Sequence, residues 1–249
     1  AIEDGLALLA LGELEWMVLD VADAFHNIPV HPGEWRYTVA KVGKYYIIFK
    51  VLCMGGKGSP NVWGRYAALV GRIVASVAAG LPIRMQVYVD DPLVATSGSQ
   101  LHRDRCFTLV LLVFAVLNLP MAWSKGIVGR EIRWIGAAYT LLHTPAIRIS
   151  IPADKLGELR DATSDISRLA TISLKRTRNY AGQLSFVAGM LPVIRPFLSS
   201  IWTAMATAIR AGRHMVYVRQ FKIALCWLNA LFSGVHGELA RDFDGKHHF

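Results

Sequence analysis

Residues 85–95 read MQVYVDDPLVA, an apolar, β-branched run that ends in two adjacent aspartates, Asp90 and Asp91, followed at once by Pro92. No other stretch constrains the fold as strongly. The pattern on either side predicts two strands, 83–89 and 92–96, joined as a hairpin with the aspartates at its turn. Adjacent carboxylates repel, and burying them is costly unless a cation compensates. The pair is therefore either an ordinary solvated turn or a site for a hard divalent metal with oxygen ligands. A second predicted strand, 16–21, runs into LDVADAF and puts Asp20 directly after an apolar run. If that strand lies beside the hairpin, Asp20 and Asp90 can face one another. Carboxylates so placed suit two metal ions about 3.5–4 Å apart, the arrangement used for in-line nucleotidyl transfer.

The rest of the chain divides near residue 150. Before it the pattern is mixed. Paired strands are predicted over 35–40 and 44–52 around Gly43, and a glycine loop over 55–58. A helix is predicted from Ser59-Pro60, whose hydroxyl and ring suit a helix start, to about Ala79. A second helix is predicted over about 100–117, then short strands over 132–142 and 147–151. From Pro152 onward the periodicity is helical, over about 153–169, 174–190, 193–210 and 215–232. This predicts an α+β part over 1–150 followed by an all-helical part over 151–249.

The 249 residues carry a net charge of +9, which favours a polyanionic partner, nucleic acid before an acidic membrane surface. Cys53, Cys106 and Cys226 form no CxxC pair and read as free, mostly buried thiols of a reducing, intracellular compartment, cytoplasmic or nuclear. The apolar stretch from Leu109 to Leu117 is too short to span a bilayer, so 106–123 reads as a buried core helix, with no membrane partner expected.

LDVADAFHNIPV, CMGGKGSPNVW, YVDD, LNLPMAWSKG and IRWIG occur in that order. Together they resemble the consecutive palm motifs of reverse transcriptases of the retroviral and retrotransposon kind, over about residues 16–140. Residues 150–210 are more loosely similar to the helical thumb of those enzymes, and 182–198 is similar to retroelements that encode a tyrosine recombinase. The resemblance implies a right-hand polymerase palm, an antiparallel sheet backed by helices, followed by a helical thumb and the start of a connection. It implies an RNA-directed DNA polymerase that joins a dNTP to a primer 3′-hydroxyl on an RNA or DNA template, with two Mg²⁺ ions, or Mn²⁺ in their place.

Carried over by residue, the resemblance makes Asp20 and Asp90 the metal-binding aspartates, with the Val21 carbonyl a further ligand and Asp91 a neighbour that shapes the site. The N–H groups of Asp23 and Ala24 would face the triphosphate, and Phe25 would be the steric gate beneath the sugar; read alone, Phe25 is a core aromatic. Met54 stands where retroviral enzymes carry a glutamine beside the sugar. Lys57, Gly58, Ser59 and Pro60 would hold the template and the nascent base pair. Lys125 would protonate the leaving pyrophosphate; read alone, it is a surface lysine. Trp134, Ile135 and Gly136 would grip the primer end. Lys175, Arg176 and Arg178 would meet duplex phosphates, or else form a solvated face.

Pro92 and Met54 depart from the family pattern. So does the segment before Asp20, which holds Glu3, Asp4, Glu13 and Glu15 but none of the basic finger residues expected there. The chain therefore reads as palm with partial fingers over 1–150 and thumb with the start of a connection over 151–249, part of a longer polyprotein that carries the remaining fingers and RNase H, and alone it is expected to bind primed nucleic acid but extend it poorly. Two other readings are a non-catalytic nucleic-acid-binding remnant and an RNA-directed RNA polymerase, the latter opposed by Phe25.

Overall fold

The computed structural model describes residues 1–234 and 239–244, which form two compact units. The first comprises Ala1–Ile135, Thr140–Ile147 and the chain from Phe243; the second comprises Gly136–Tyr139 and Arg148–Asp242.

The first unit opens with helix α1 (Ile2–Leu9) and strand β1 (Leu14–Val18), followed by the hairpin of β2 (Val39–Val42) and β3 (Tyr45–Ile48). Helix α2 (Ser59–Val77) leads to the second hairpin, β4 (Ile83–Tyr88) and β5 (Asp91–Ser97). Helix α3 (Gln100–Val116) and strands β6 (Ile127–Gly129) and β7 (Glu131–Trp134) complete the main run. The central sheet has the order β4-β5-β1-β6, antiparallel throughout. Met17 and Val94 lie opposite one another in its register and join a core with α2 and α3. Helix α2 contributes Trp63, Ala67, Val70 and Val74, which share one face at helical spacing. Helix α3 contributes Cys106, Phe107, Val110 and Phe114.

Buried Arg103 on α3 binds Glu13 and Glu15 at 3.1 Å each and the Gly98 carbonyl, so two acidic residues of the first segment are spent on the unit's own frame. A buried guanidinium needs such partners, because its desolvation is otherwise uncompensated. The expected buried helix is α3, but only one face is covered: Leu112 and Val116 are exposed. No described helix is long and apolar enough to cross a membrane.

Strand β7 turns through Ile135 (φ +48°) and Gly136 (φ +71°) into β8 (Ala137–Leu141), and β9 (Ile147–Ser150) follows. The second unit then packs α4 (Ala153–Ser167), β10 (Thr171–Ser173), α5 (Leu174–Met190), α6 (Arg195–Arg210), β11 (Met215–Tyr217) and α7 (Lys222–Phe232). Strand β12 (Ala240–Phe243) lies beside β9, where Arg148 Nε meets Asp242 Oδ1 at 2.7 Å. Ile151, Leu159, Leu184, Ile201, Val216 and Leu225 belong to one core. Within it the Thr163 and Tyr180 hydroxyls share a 2.7 Å hydrogen bond, while burial pushes the Tyr180 phenol up to about 12.

Several elements depart from the sequence reading. Residues 215–217 are a strand, not a helix start, and pair with β10 through the buried residues Ile172 and Val216. The 132–142 segment is broken by the turn at Ile135-Gly136. The first predicted strand of the 35–52 pair is largely a 3₁₀ turn, Pro32–Tyr37, that precedes β2. Cys106 is buried, Cys53 half-buried and Cys226 exposed, and all are free thiols.

Candidate active site

Beyond Val18, the chain of β1 continues alongside β5. Leu19 N–H donates to the Pro92 carbonyl at 3.0 Å, and Val21 N–H donates to the Asp90 carbonyl at 2.9 Å. Continuing the pairing of Val18 with Leu93, this register sets Asp20 directly opposite Asp91, with their side chains on one face of the sheet. Asp20 therefore faces Asp91 rather than Asp90. The turn itself consists of Val89 and Asp90, since Tyr88 and Asp91 already form a strand pair. On its other flank, Asp20 is held by Ala122 N–H, which donates to its carbonyl at 2.9 Å.

Lys125, from a 3₁₀ turn over Trp123–Lys125, reaches the same place and its Nζ donates to Asp20 Oδ2 at 2.8 Å. That hydrogen bond, followed by the Asp20 charge and the more distant charges of Asp90 and Asp91, holds the ammonium above its ordinary range. Asp91 is pushed up, first by burial, then by the charges of Asp90 and Asp20, with Lys125 opposing. Three carboxylates and one ammonium are thus within electrostatic reach of each other. All three carboxylates offer hard oxygen donors, the chemistry of a magnesium or manganese site. Among the described residues no group of three or more His, Cys, Asp or Glu side chains is already set as a metal cage.

Pro92 is buried in β5, a strand with neighbours on both sides, and so is at neither an edge nor a turn. It has no N–H to return to Leu19, so the ladder loses one bond beside the acidic residues.

The other sequence-predicted residues of this unit distribute around that point. Asp23 is exposed and takes a left-handed backbone (φ +49°) at the start of a 3₁₀ turn that carries buried Ala24 and half-buried Phe25. The Phe25 ring meets the Trp63 ring edge-on at 6.4 Å, and Phe25 packs against the unit's core. Met54 and Lys57 are exposed on the loop that precedes α2. Ser59 is buried, and its hydroxyl does not cap the helix: it donates to the Cys53 carbonyl at 2.9 Å and ties loop to helix, while Gly58 is the cap residue and Pro60 takes the first turn. Gly56 lies so close that a Cβ there would stand 2.6 Å from Ser59 Oγ.

Trp134 is buried, and its indole N–H donates to the Asp91 carbonyl at 3.1 Å. A second indole, on Trp63, donates to the Val89 carbonyl. Sequence reasoning assigned no role to Trp63. Its position four residues after Ser59, on the buried face of α2, was the available signal. In the second unit, Lys175, Arg176 and Arg178 are exposed in the first turns of α5, and Ser173 caps that helix by accepting from Arg176 N–H at 3.2 Å. Arg176 also lies 3.8 Å from Asp165. Cations at a helix N-terminus oppose the macrodipole, an effect that the Asp165 carboxylate offsets for Arg176.

An antiparallel sheet backed by helices, with carboxylates crowded where two neighbouring strands end, defines an α+β fold of the polymerase type. The model of the family described as reverse transcriptase (RNA-dependent DNA polymerase) matches residues 9–139, and the chain belongs to that family. Two foamy viral structures are similar in fold. One is the protease-reverse transcriptase in complex with an RNA/DNA hybrid, at 17% identity and a TM-score of 0.57, over 86% of this chain and 27% of that one. The other is the dRH form in complex with double-stranded DNA, at 16% identity and a TM-score of 0.60, over 91% of this chain and 37% of that one. The chain thus spans only 27% and 37% of the lengths of these two solved proteins.

Proposed function

We propose that this chain carries the nucleotidyl-transfer site of an RNA-directed DNA polymerase of a retroelement, and that Asp20, Asp90 and Asp91 form its acidic centre. The observation that carries the reading is the crowding of these three carboxylates around Lys125 at the ends of adjacent strands. Such density of negative charge is costly to hold unless cations compensate it.

Divalent ions bound there would supply charge neutralisation for an in-line attack by a primer 3′-hydroxyl on the α-phosphate of a dNTP. Asp20 and Asp90 would hold them, with the Val21 carbonyl. With no side-chain cage already set, the remaining ligands would come from substrate phosphates and water, as is usual for Mg²⁺. Lys125 is protonated at neutral pH, stands beside Asp20, and would deliver a proton or a positive charge to the departing pyrophosphate. Asp23 and Ala24 would offer N–H groups to the triphosphate, and the ring of Phe25 would close the space under the sugar against a 2′-hydroxyl. Met54 would border the sugar without donating a hydrogen bond. The loop over Lys57–Pro60 would carry the template, and the turn over Trp134–Gly136 the primer end. Lys175, Arg176 and Arg178 would meet backbone phosphates, in keeping with the RNA/DNA hybrid and duplex DNA bound by the two foamy viral proteins.

The test is single-nucleotide extension of a primed RNA template with Mg²⁺, wild type against Asp90→Asn. Extension should fall by about a hundredfold or more in the variant, while binding of the primed template changes by less than about threefold. Equal extension by both proteins would overturn the assignment of the acidic centre. Template binding with no extension in the wild type would leave the non-catalytic reading standing instead.

A further inference from the structure

Four consecutive carbonyls, those of Val89, Asp90, Asp91 and Pro92, each accept a hydrogen bond. The second and the fourth are taken up by neighbouring main chain: Val21 N–H to Asp90 at 2.9 Å and Leu19 N–H to Pro92 at 3.0 Å. The other two are taken up by tryptophan side chains, Trp63 Nε1–H to Val89 and Trp134 Nε1–H to Asp91 at 3.1 Å. The two indoles arrive from different elements, α2 and β7, and both are buried, at 1% and 7% exposure. Between them sits the turn that carries Asp90.

That turn is not relaxed. Val89 has φ +56°, the left-handed region that a β-branched residue avoids. A strained backbone persists where its surroundings over-determine it. An indole N–H is a donor only, so a buried tryptophan must find a carbonyl or lose a hydrogen bond. Its rigid ring makes that bond directional. Here the two donors fix the Val89–Asp90 and Asp91–Pro92 peptide units, which bracket the aspartate pair, and so the direction in which the two carboxylates leave the backbone.

We infer that Trp63 and Trp134 are positioning residues: their indole N–H groups clamp the Val89–Asp91 backbone and so hold the Asp91 carboxylate facing Asp20, with the Asp90 carboxylate within electrostatic reach. Neither ring touches the metal or the dNTP in this role. It is distinct from packing, because it resides in two N–H groups and not in ring volume. The inference rests on the reading of the acidic centre given above.

The test compares wild type with Trp63→Phe, Trp134→Phe and the double variant. Because phenylalanine also removes ring volume, each site is repeated with 3-benzothienylalanine, which keeps the bicyclic shape and lacks only the N–H. Two readouts are taken well below the melting temperature: Mn²⁺ binding to the protein alone by electron paramagnetic resonance, and single-turnover extension. Both should weaken about tenfold in either benzothienyl protein, the size of effect seen when groups that orient a metal ligand are removed. The KM for dNTP and the melting temperature should stay close to wild type. Benzothienyl proteins that bind Mn²⁺ and extend as wild type, with losses confined to the phenylalanine variants, would reduce both tryptophans to packing and overturn the inference. If wild type itself neither binds Mn²⁺ nor extends, the reading of the acidic centre fails, and the inference with it.

Discussion

The first unit contains two hairpins of nearly the same local design. β2–β3 and β4–β5 are both antiparallel pairs closed by two-residue turns, Gly43-Lys44 and Val89-Asp90. In each, the first turn residue has a left-handed backbone, φ +60° at Gly43 and +56° at Val89. The free hairpin places glycine there, as the local rule demands. The other places a β-branched residue. Their surroundings explain the difference. Every residue of β3 is exposed, and of β2 only Ala40 is not fully so. Its tyrosines find only nearby ammonium groups, Lys41 over Tyr46 at 5.9 Å and Lys44 over Tyr45 at 5.3 Å. In β4–β5, by contrast, the strand from Pro92 to Ser97 is buried, and the turn with the start of β5 is held by four hydrogen bonds from three elements. A hairpin that stands alone must satisfy its own backbone. A pinned one can adopt a conformation its sequence disfavours, and carboxylates can be held there.

The comparison breaks first at core positions. Val94→Asp, at a fully buried point of β5, should cost about 4 kcal/mol or more and abolish cooperative unfolding of the first unit. Ile47→Asp, at the exposed middle of β3, should change stability by less than about 0.5 kcal/mol. Urea titrations followed by circular dichroism measure both, and similar costs would erase the distinction. The next effect is an exchange of turn residues. Gly43→Val should destabilise its hairpin by about 1–2 kcal/mol on backbone conformation alone, since a Cβ there meets nothing within 4 Å. Val89→Gly should lie within about 1 kcal/mol of wild type, because relief of strain offsets the entropy that glycine adds to the unfolded chain. Amide exchange of the flanking strands reads both, and a Gly43→Val protein as protected as wild type would contradict the account.

The smallest effect extends the same contrast to the second unit. The Arg148 hydrogen bond holds the Asp242 carboxyl below its ordinary range, with burial opposing. A depressed carboxyl contributes stability above its unfolded pKa, near 4, and loses it as pH falls through the lower folded value. The pair is largely exposed, so screening keeps this below about 0.5 kcal/mol. Wild type and Asp242→Asn should differ in melting temperature at pH 7 by a degree or two at most, and converge below about pH 3. A gap that widened on acidification would have the wrong sign.

What was legible in the sequence was what short-range pattern encodes. The apolar run before Asp90-Asp91 gave the β4–β5 hairpin, and Ser59-Pro60 marked the start of α2 within a residue. The carboxylates stood out because like charges beside buried residues need a reason. What could not be read depends on partners distant in sequence. β10 and β11 are three residues each, and become strands only because Ile172 and Val216 meet across the chain. Trp134 looked like part of a primer-facing turn, but its polar edge lies against Asp91, 43 residues earlier. The role of Ser59 was misread for a similar reason: its hydroxyl had a carbonyl at Cys53 to satisfy, and no local rule ranks that above a free helix N–H.

The position of β1 has a consequence for the order of events on the ribosome. It lies inside the central sheet, yet both neighbours are made later: β5 pairs with it from Leu93 onward and β6 only from Ile127. At about 5–20 residues per second, synthesis runs on for several seconds before the second edge of β1 can be covered. Until β5 emerges, Trp16, Met17 and Val18 have no sheet to enter, and the nascent segment is a natural substrate for chaperones that hold extended apolar chain. The central sheet cannot close gradually from its N-terminus; it is complete only when residues near 129 leave the exit tunnel.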